Sequence, residues 1–171
     1  MISNTLVCEY LSDDMSGVKM IERDLPKLKT DEVLIKVKAS SVNFPDYLMT
    51  QGKYQHKPDL PFGLGMEGSG IIEQVGEAVE DFRPNDEVTF GAVGQGAFTD
   101  YIIVNQKAAQ TKPENLSFEK AAAFQTAYLT AYVSLVRRGS LKRGETLLVH
   151  GSTGGVAVSY THLRAHETDR H

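Results

Sequence analysis

Three glycines stand close together in "LLVHGSTGGV", residues 147–156, where Gly151, Gly154 and Gly155 directly follow an apolar run. Glycines let a backbone approach a pyrophosphate closely. The first turn of a following helix then offers it free N–H groups and the positive end of a dipole. The full dinucleotide fingerprint also needs that helix, and a ribose-reading residue about 20 positions further on. Taken alone, the glycine cluster is more often an ordinary strand-to-helix turn. Other reactive residue types are sparse. Cys8 is the only cysteine, so no internal disulfide and no cysteine-rich zinc cage can form. His162 and His166 are spaced i, i+4, with His171 beyond them. Leu163 and Arg164 follow His162, so the pair is not the His-Glu-x-x-His motif. The expectation there is a solvated, unstructured tail.

The elements before the loop read mostly as β. "EVLIKVKASSVNF" (32–44) alternates and is rich in valine and isoleucine, as a half-buried strand is. "GSGIIEQVGEAV" (68–79) reads as a strand bent by glycines, which mark bulges and barrel corners. "DEVTF" (86–90) and "AFTDYIIVN" (97–105) are further strands, joined by the flexible "GAVGQG". Short strands with glycine corners predict a closed or partly closed barrel. "PDYLMTQGKY" (45–54) predicts a short helix with Pro45 in its first turn, and Asp46 is placed to cap it. The character changes at Leu116. Residues 116–145 predict one long helix, with Ser117 as N-cap, Glu119 in the first turn, Arg137 and Arg138 in the last, and Gly139 after it. "GETLLVHG" then predicts a buried parallel strand.

Taken together, "VLIKVKASSVNFPDYLMTQGKY", "LPFGLGMEGSGIIEQVGEAVEDFRPNDEV", "GAFTDYIIV", "AAAFQTAYLTAYVSL" and "GETLLVHGSTGGV" resemble the medium-chain dehydrogenase/reductase superfamily, within it the zinc-free quinone oxidoreductase branch. The resemblance covers roughly residues 2 to 156. It implies a β-rich GroES-like barrel domain (α+β), followed by the start of an α/β Rossmann domain that binds NADP(H). The expected division is a barrel domain over 1–115, the opening of the Rossmann domain over 116–157, and a tail over 158–171.

Zinc alcohol dehydrogenases of the superfamily bind their catalytic metal through a cysteine and a histidine. The matching positions here are Asn43 and Met66. An amide and a thioether are poor zinc ligands, so no metal is expected. Glu67 beside Met66 is open between a buried carboxylate shaping the cleft and an exposed or ion-paired one. Without a Lewis acid, the remaining chemistry is hydride delivery from NADPH to an acceptor that is already electrophilic, a quinone or an α,β-unsaturated carbonyl. The negative oxygen that develops needs hydrogen-bond donors. Asn43, with its amide, and Tyr47 and Tyr54, with their hydroxyls, are the candidate catalytic residues. By resemblance, Asn43 and Tyr54 match polar cleft positions and Thr130 matches a threonine near the nicotinamide. Gly151, Ser152, Gly154, Gly155 and Val156 are the expected cofactor loop. Each has a plainer alternative. Asn43 suits a turn, Tyr54 a surface, Tyr47 a core, and Thr130 can bond the carbonyl four residues back.

Apolar residues make up 41% of the chain, charged residues 23%, and the net charge is −4. That is an ordinary globular balance, and the mild acidity argues against nucleic acid. No basic-then-apolar leader and no membrane-spanning run is visible, so a cytoplasmic setting is the default. After Val158 the sequence departs from the family pattern. "SYTHLRAHETDRH" is polar, resembles a translated sequencing-adapter read-through, and is expected to be non-native. The expectation is therefore a C-terminally truncated fragment of a reductase that forms a homodimer in some family members. Two alternatives are a non-catalytic barrel module and the enoyl reductase domain of a larger acyl-processing enzyme.

Overall fold

The computed structural model describes residues 1–151 and 153–168, except the side chains of 161 and 163–168. It divides into two compact units, Met1–Ala123 and Phe124–His171.

The first unit is built on two antiparallel sheets. Strands β1 (Ile2–Cys8), β2 (Val18–Asp24) and β4 (Phe62–Gly63) form a sheet in the order β2-β1-β4. Strands β3 (Glu32–Ser40), β5 (Glu67–Val75), β6 (Glu87–Gly91), β7 (Tyr101–Asn105) and β8 (Ala109–Thr111) form the other, in the order β7-β3-β5-β6-β8. The sheets are stitched together where Thr5 pairs with Thr99 and Leu6 N–H donates to the Phe98 carbonyl. The β3–β5 register shifts twice, between Leu34 and Ile35 and between Val37 and Ala39. These bulges coil the sheet, as a barrel wall requires. Gly70 lies in the bulged stretch of β5, where a Cβ would run into the Lys36 carbonyl oxygen.

Inward side chains gather into two cores. The larger contains Val33, Ile35, Ile72, Val88, Phe90 and Ile102. The smaller contains Cys8, Met49, Phe62, Leu64 and Met66, with Tyr54 packed against it. Helix α1 (Phe44–Thr50) begins with its proline as the pattern predicts, and it sends Met49 into the smaller core. The long strand anticipated over 32–44 stops at Ser40, because the chain must turn into α1 at Asn43. The strand anticipated over 97–105 begins only at Tyr101.

The single helix expected over 116–145 is broken. Helix α2 (Phe118–Ala122) belongs to the first unit, so that unit extends past residue 115. Its Ser117 cap is as expected, with the Ser117 hydroxyl accepting the Lys120 N–H. Its Ala121 and Ala122 are buried, and its first residue is tied to β5 by the Ser69 hydroxyl, which donates to the Phe118 carbonyl. In the second unit, α3 (Gln125–Tyr132) runs into a π-helical stretch, Val133–Arg138. The large side chains Leu129, Tyr132 and Val136 of this stretch are exposed.

Two further expectations are corrected. Residues 146–150 form no strand, and Leu148 is 77% exposed. A parallel strand exists only by pairing with neighbours, and the described residues offer it none. The tail is not unstructured up to Thr168. Helix α4 (Gly155–Thr168) forms, with Ala157 and Ser159 buried. Its pattern is poor as an amphipathic helix, but two small residues allow close approach to α3. There the Ser159 hydroxyl reaches the Ala127 carbonyl at 3.1 Å. His162 Nδ1 meets the Tyr128 hydroxyl at 2.7 Å. The His166 side chain and His171 lie outside the described residues.

Candidate functional site

The site of the first unit grows from the turn between β3 and α1. Asn43 is extended (φ −115°, ψ 152°) and serves as the N-cap of α1. Asp46, three residues on, reaches back so that its Oδ2 accepts the Asn43 N–H at 2.8 Å. Its Oδ1 accepts the Gly65 N–H at 3.2 Å. Gly65 has φ +98°, a conformation that favours glycine, and this turns its N–H toward the carboxylate. Asp46 thus fastens the start of α1 to the residues leading into β5. It is 4% exposed. Burial pushes its carboxyl above the usual carboxylate range; the two N–H bonds oppose this and the nearby Glu67 charge adds to it.

Above this sits a polar knot. Glu67 is 2% exposed at the first position of β5. Its Oε1 accepts the Ser41 hydroxyl in a short hydrogen bond and the Asn43 Nδ2 amide at 2.9 Å. The same Asn43 Nδ2 also donates to Ser41 Oγ at 2.9 Å. The Glu67 alternative is thereby resolved in favour of the buried carboxylate. Ser41 was missed by sequence reasoning. Its signal was its place two residues before Asn43 at a strand end, where side chains of alternate residues share a face.

Of the sequence-derived residues, Asn43 lies in the knot and Tyr47 is 40% exposed on α1, its ring 6.3 Å from that of Phe44. Tyr54 is half-buried against the core that holds Met66. Val42 and Phe44, on either side of Asn43, are exposed apolar side chains. A hollow of about 350 Å³ opens beside the same segment, lined by Leu11, Met49, Gly52, His56, Leu60 and Phe62. Among the described residues no three His, Cys, Asp or Glu side chains are grouped as metal ligands. The donor set does not fit zinc either. Asn43 presents an amide already bonded to Glu67, and the Met66 thioether packs in an apolar core.

Thr130, Gly151, Gly154, Gly155 and Val156 belong to the second unit. Thr130 is exposed on α3. Gly151 has φ +67°, and a Cβ there or on Gly155 would meet nothing within 4 Å. The Gly154 N–H turns back to the Gly151 carbonyl at 3.0 Å, and α4 begins one residue later. Open backbone at a helix start fits a diphosphate. Ser152 lies outside the described residues.

Antiparallel sheets stitched edge to edge, bulged at β3–β5 and joined to a capped helix, define a GroES-like domain. The alcohol dehydrogenase GroES-like domain family matches residues 29–114, half of the sequence, and the chain belongs to that family. It is 38% identical over 143 residues to a synaptic vesicle membrane protein VAT-1 homolog of Danio rerio, a match covering 84% of this chain and 29% of that protein. It is 36% identical over 135 residues to the quinone oxidoreductase of Homo sapiens, covering 79% of this chain and 41% of that one. Among solved structures, the human VAT-1 homolog-like protein has a TM-score of 0.90 at 28% identity, over 97% of this chain and 53% of that one. The quinone oxidoreductase of Coxiella burnetii has 0.88 at 26%, over 97% and 54%. The CurK enoyl reductase has 0.81 at 25%, over 95% and 51%. The chain spans less than half the length of the curated relatives it matches. The medium-chain dehydrogenase/reductase resemblance drawn from the sequence holds. No helix among the described residues is long and apolar enough to cross a membrane.

Proposed function

We propose that this chain carries the substrate-side domain of an NADPH-dependent reductase that delivers hydride to a quinone or an α,β-unsaturated carbonyl without zinc. The observation that carries the reading is the fate of the two positions that would bind a catalytic metal. Asn43 is spent on Glu67 and Ser41, and Met66 is buried among Cys8, Met49, Phe62 and Leu64. An acceptor that is already electrophilic needs no Lewis acid.

When bound, the reduced nicotinamide supplies the hydride. The backbone of Gly151, Gly154, Gly155 and Val156 would hold its diphosphate, and Thr130 would contact the nicotinamide end. The developing oxyanion needs donors that the protein has not already used. The Asn43 amide already lies within hydrogen-bond distance of Ser41 Oγ and Glu67 Oε1. The Tyr47 and Tyr54 hydroxyls have no hydrogen-bond partner among the described residues, and they take that role. Val42, Phe44 and the ring of Tyr47 offer apolar contact to a flat acceptor.

The test joins this chain to the C-terminal portion of a quinone oxidoreductase relative and follows NADPH absorbance with 1,4-naphthoquinone. Turnover that persists in EDTA, and falls about 10- to 100-fold in Tyr54→Phe, is the expected result. Activity abolished by chelation and restored by zinc overturns the proposal. The likeness to CurK enoyl reductase favours a second reading, enoyl reduction. A crotonyl thioester reduced faster than naphthoquinone would select it.

A further inference from the structure

We infer that the hollow beside Arg23 binds a carboxylate that carries an apolar body, apart from the residues proposed for the reductase. Arg23 lies on the edge strand β2, directly opposite Ser3 of β1. Residues directly opposite in an antiparallel pair share a face of the sheet. Ser3 is 1% exposed and its hydroxyl meets that of Thr99, so this face looks toward the other sheet. Arg23 is therefore a permanent cation turned inward, and it is half-buried. Among the described residues, its Nε is the one buried side-chain nitrogen or oxygen with no hydrogen-bond partner. Nor does Arg23 take part in any ion pair among them. A charge drawn out of water costs stability unless it is paired, which is why such charges ordinarily are. A guanidinium left unpaired keeps its planar fork of donors for the two oxygens of a carboxylate.

Arg23 lines an open hollow of about 410 Å³, within the roughly 300–1,000 Å³ of small-molecule sites. Lys27 lines it too, exposed and likewise outside every ion pair described. Lys29 and Glu32 line it as a pair, Nζ to Oε1 at 3.3 Å, with the Lys29 N–H donating to Glu32 Oε2 at 3.0 Å. Those two charges cancel. Arg23 and Lys27 then face one remaining carboxylate, that of Asp59. The surplus is a single positive charge, which suits a monoanion better than a phosphate dianion. Beside these charges Leu25, Pro26 and Ile103 supply apolar wall. A cation next to such a wall matches a ligand with both parts, a carboxylate on an aliphatic body. Asn43, Tyr47, Tyr54 and the glycine loop do not line this hollow.

Titration of the full 171-residue chain with octanoate tests this. The Arg23 Nε–H and the backbone amides of Leu25 and Ile103 are followed in a proton–nitrogen correlation spectrum. A saturable shift of all three is expected. Arg23→Gln should weaken octanoate about tenfold or more, as loss of a hydrogen bond between charged groups does. Octanamide, with the same body and no charge, should bind weaker by a similar factor. Asp59→Asn should tighten octanoate, because it removes the opposing charge. Inorganic phosphate should bind more weakly than octanoate. An arginine whose tip is simply solvated gives no saturable shift, and that result overturns the inference. Octanamide bound as tightly as octanoate also overturns it, since the cation would then have no part in binding. Phosphate bound as tightly as octanoate overturns the assignment of an apolar body. The three-ligand comparison needs no substitution, so it stands even if Arg23→Gln does not fold.

Discussion

At the scale of single residues, the site is governed by which buried polar atoms are already satisfied. Asp46 shows this most clearly. It is buried, it accepts two backbone N–H groups, and its carboxyl lies above the usual range chiefly because of burial. A folded-state value raised above the unfolded one means that the folded chain binds the proton more tightly. The stabilisation linked to that proton is complete below the ordinary carboxylate value of about 4 and is lost as pH rises through the raised value. Urea denaturation from pH 4 upward should therefore show a declining contribution from Asp46. In Asp46→Asn that decline should vanish, so the variant gains on the parent as pH rises. Asp46→Ala leaves the Asn43 and Gly65 N–H groups without acceptors, and should cost about 2–4 kcal/mol by the same measurement. Cys8 gives a second prediction. It is fully buried, and burial raises its thiol above the ordinary range. The thiolate is the reactive form. Labelling by a chromogenic disulfide should therefore be at least about 100-fold slower in the native chain than in urea, and a native rate equal to the unfolded one would contradict the burial.

At the scale of elements, what holds the first unit together is the junction between its two sheets. Thr99 is the hinge of that junction. Its hydroxyl lies 2.8 Å from Ser3 Oγ and 2.7 Å from Thr5 Oγ1, and both of those residues are buried. Thr99→Val keeps the shape and removes the hydroxyl that Thr5 Oγ1 meets, while Ser3 Oγ keeps the Tyr101 carbonyl and N–H. A loss of about 1–3 kcal/mol in chemical denaturation is expected, and a neutral result would show that Thr5 finds another partner. These elements were unevenly legible in the sequence. The alternation of 32–40, the glycine-bent strand at 68–75, the proline at the start of α1 and the Ser117 cap could all be read, because each is a local preference that the fold obeys. Ser41 was harder to read, because beyond its place two residues before Asn43 its role exists only through Glu67, 26 residues away. The single long helix over 116–145 was wrong for a related reason. Propensity favours helix across Ala123 and Phe124, but Ala121 and Ala122 are fixed to the sheets of the first unit while the residues from Phe124 onward belong to the second. The strand at 146–150 failed because strand formation is a property of a sheet, not of an apolar run.

At the scale of the whole molecule, the two units differ in how much they bury. The first holds two apolar cores of strands, Val33, Ile35, Val88 and Phe90 among them, with the site knot attached. In the second, the buried residues described are the small side chains Ala131, Ala157 and Ser159, and Phe124, Leu129, Tyr132, Val136 and Leu148 are all exposed. Burial of apolar surface is the main favourable term in folding, at roughly 25 cal/mol per Å². Small side chains supply little of that surface, so the two units should not open together. Native-state hydrogen exchange should separate them. Amides of β3, β5 and β6 should exchange only through global unfolding, while those of α3 and α4 exchange through local opening at much lower cost. A chain ending at Ala123 should then keep the exchange pattern of its sheets and the hydrogen bonds around Asn43, because every partner of Asn43 named above lies within Met1–Ala123. The same two-unit logic bears on cofactor. The glycine loop is carried by the weaker unit, so NADPH affinity should be limited by the ordering of that unit, and fluorescence titration of the 171-residue chain should give a Kd in the millimolar range. Micromolar binding, or loss of sheet protection on removal of residues 124–171, would mean that the second unit is stabilised as strongly as the first.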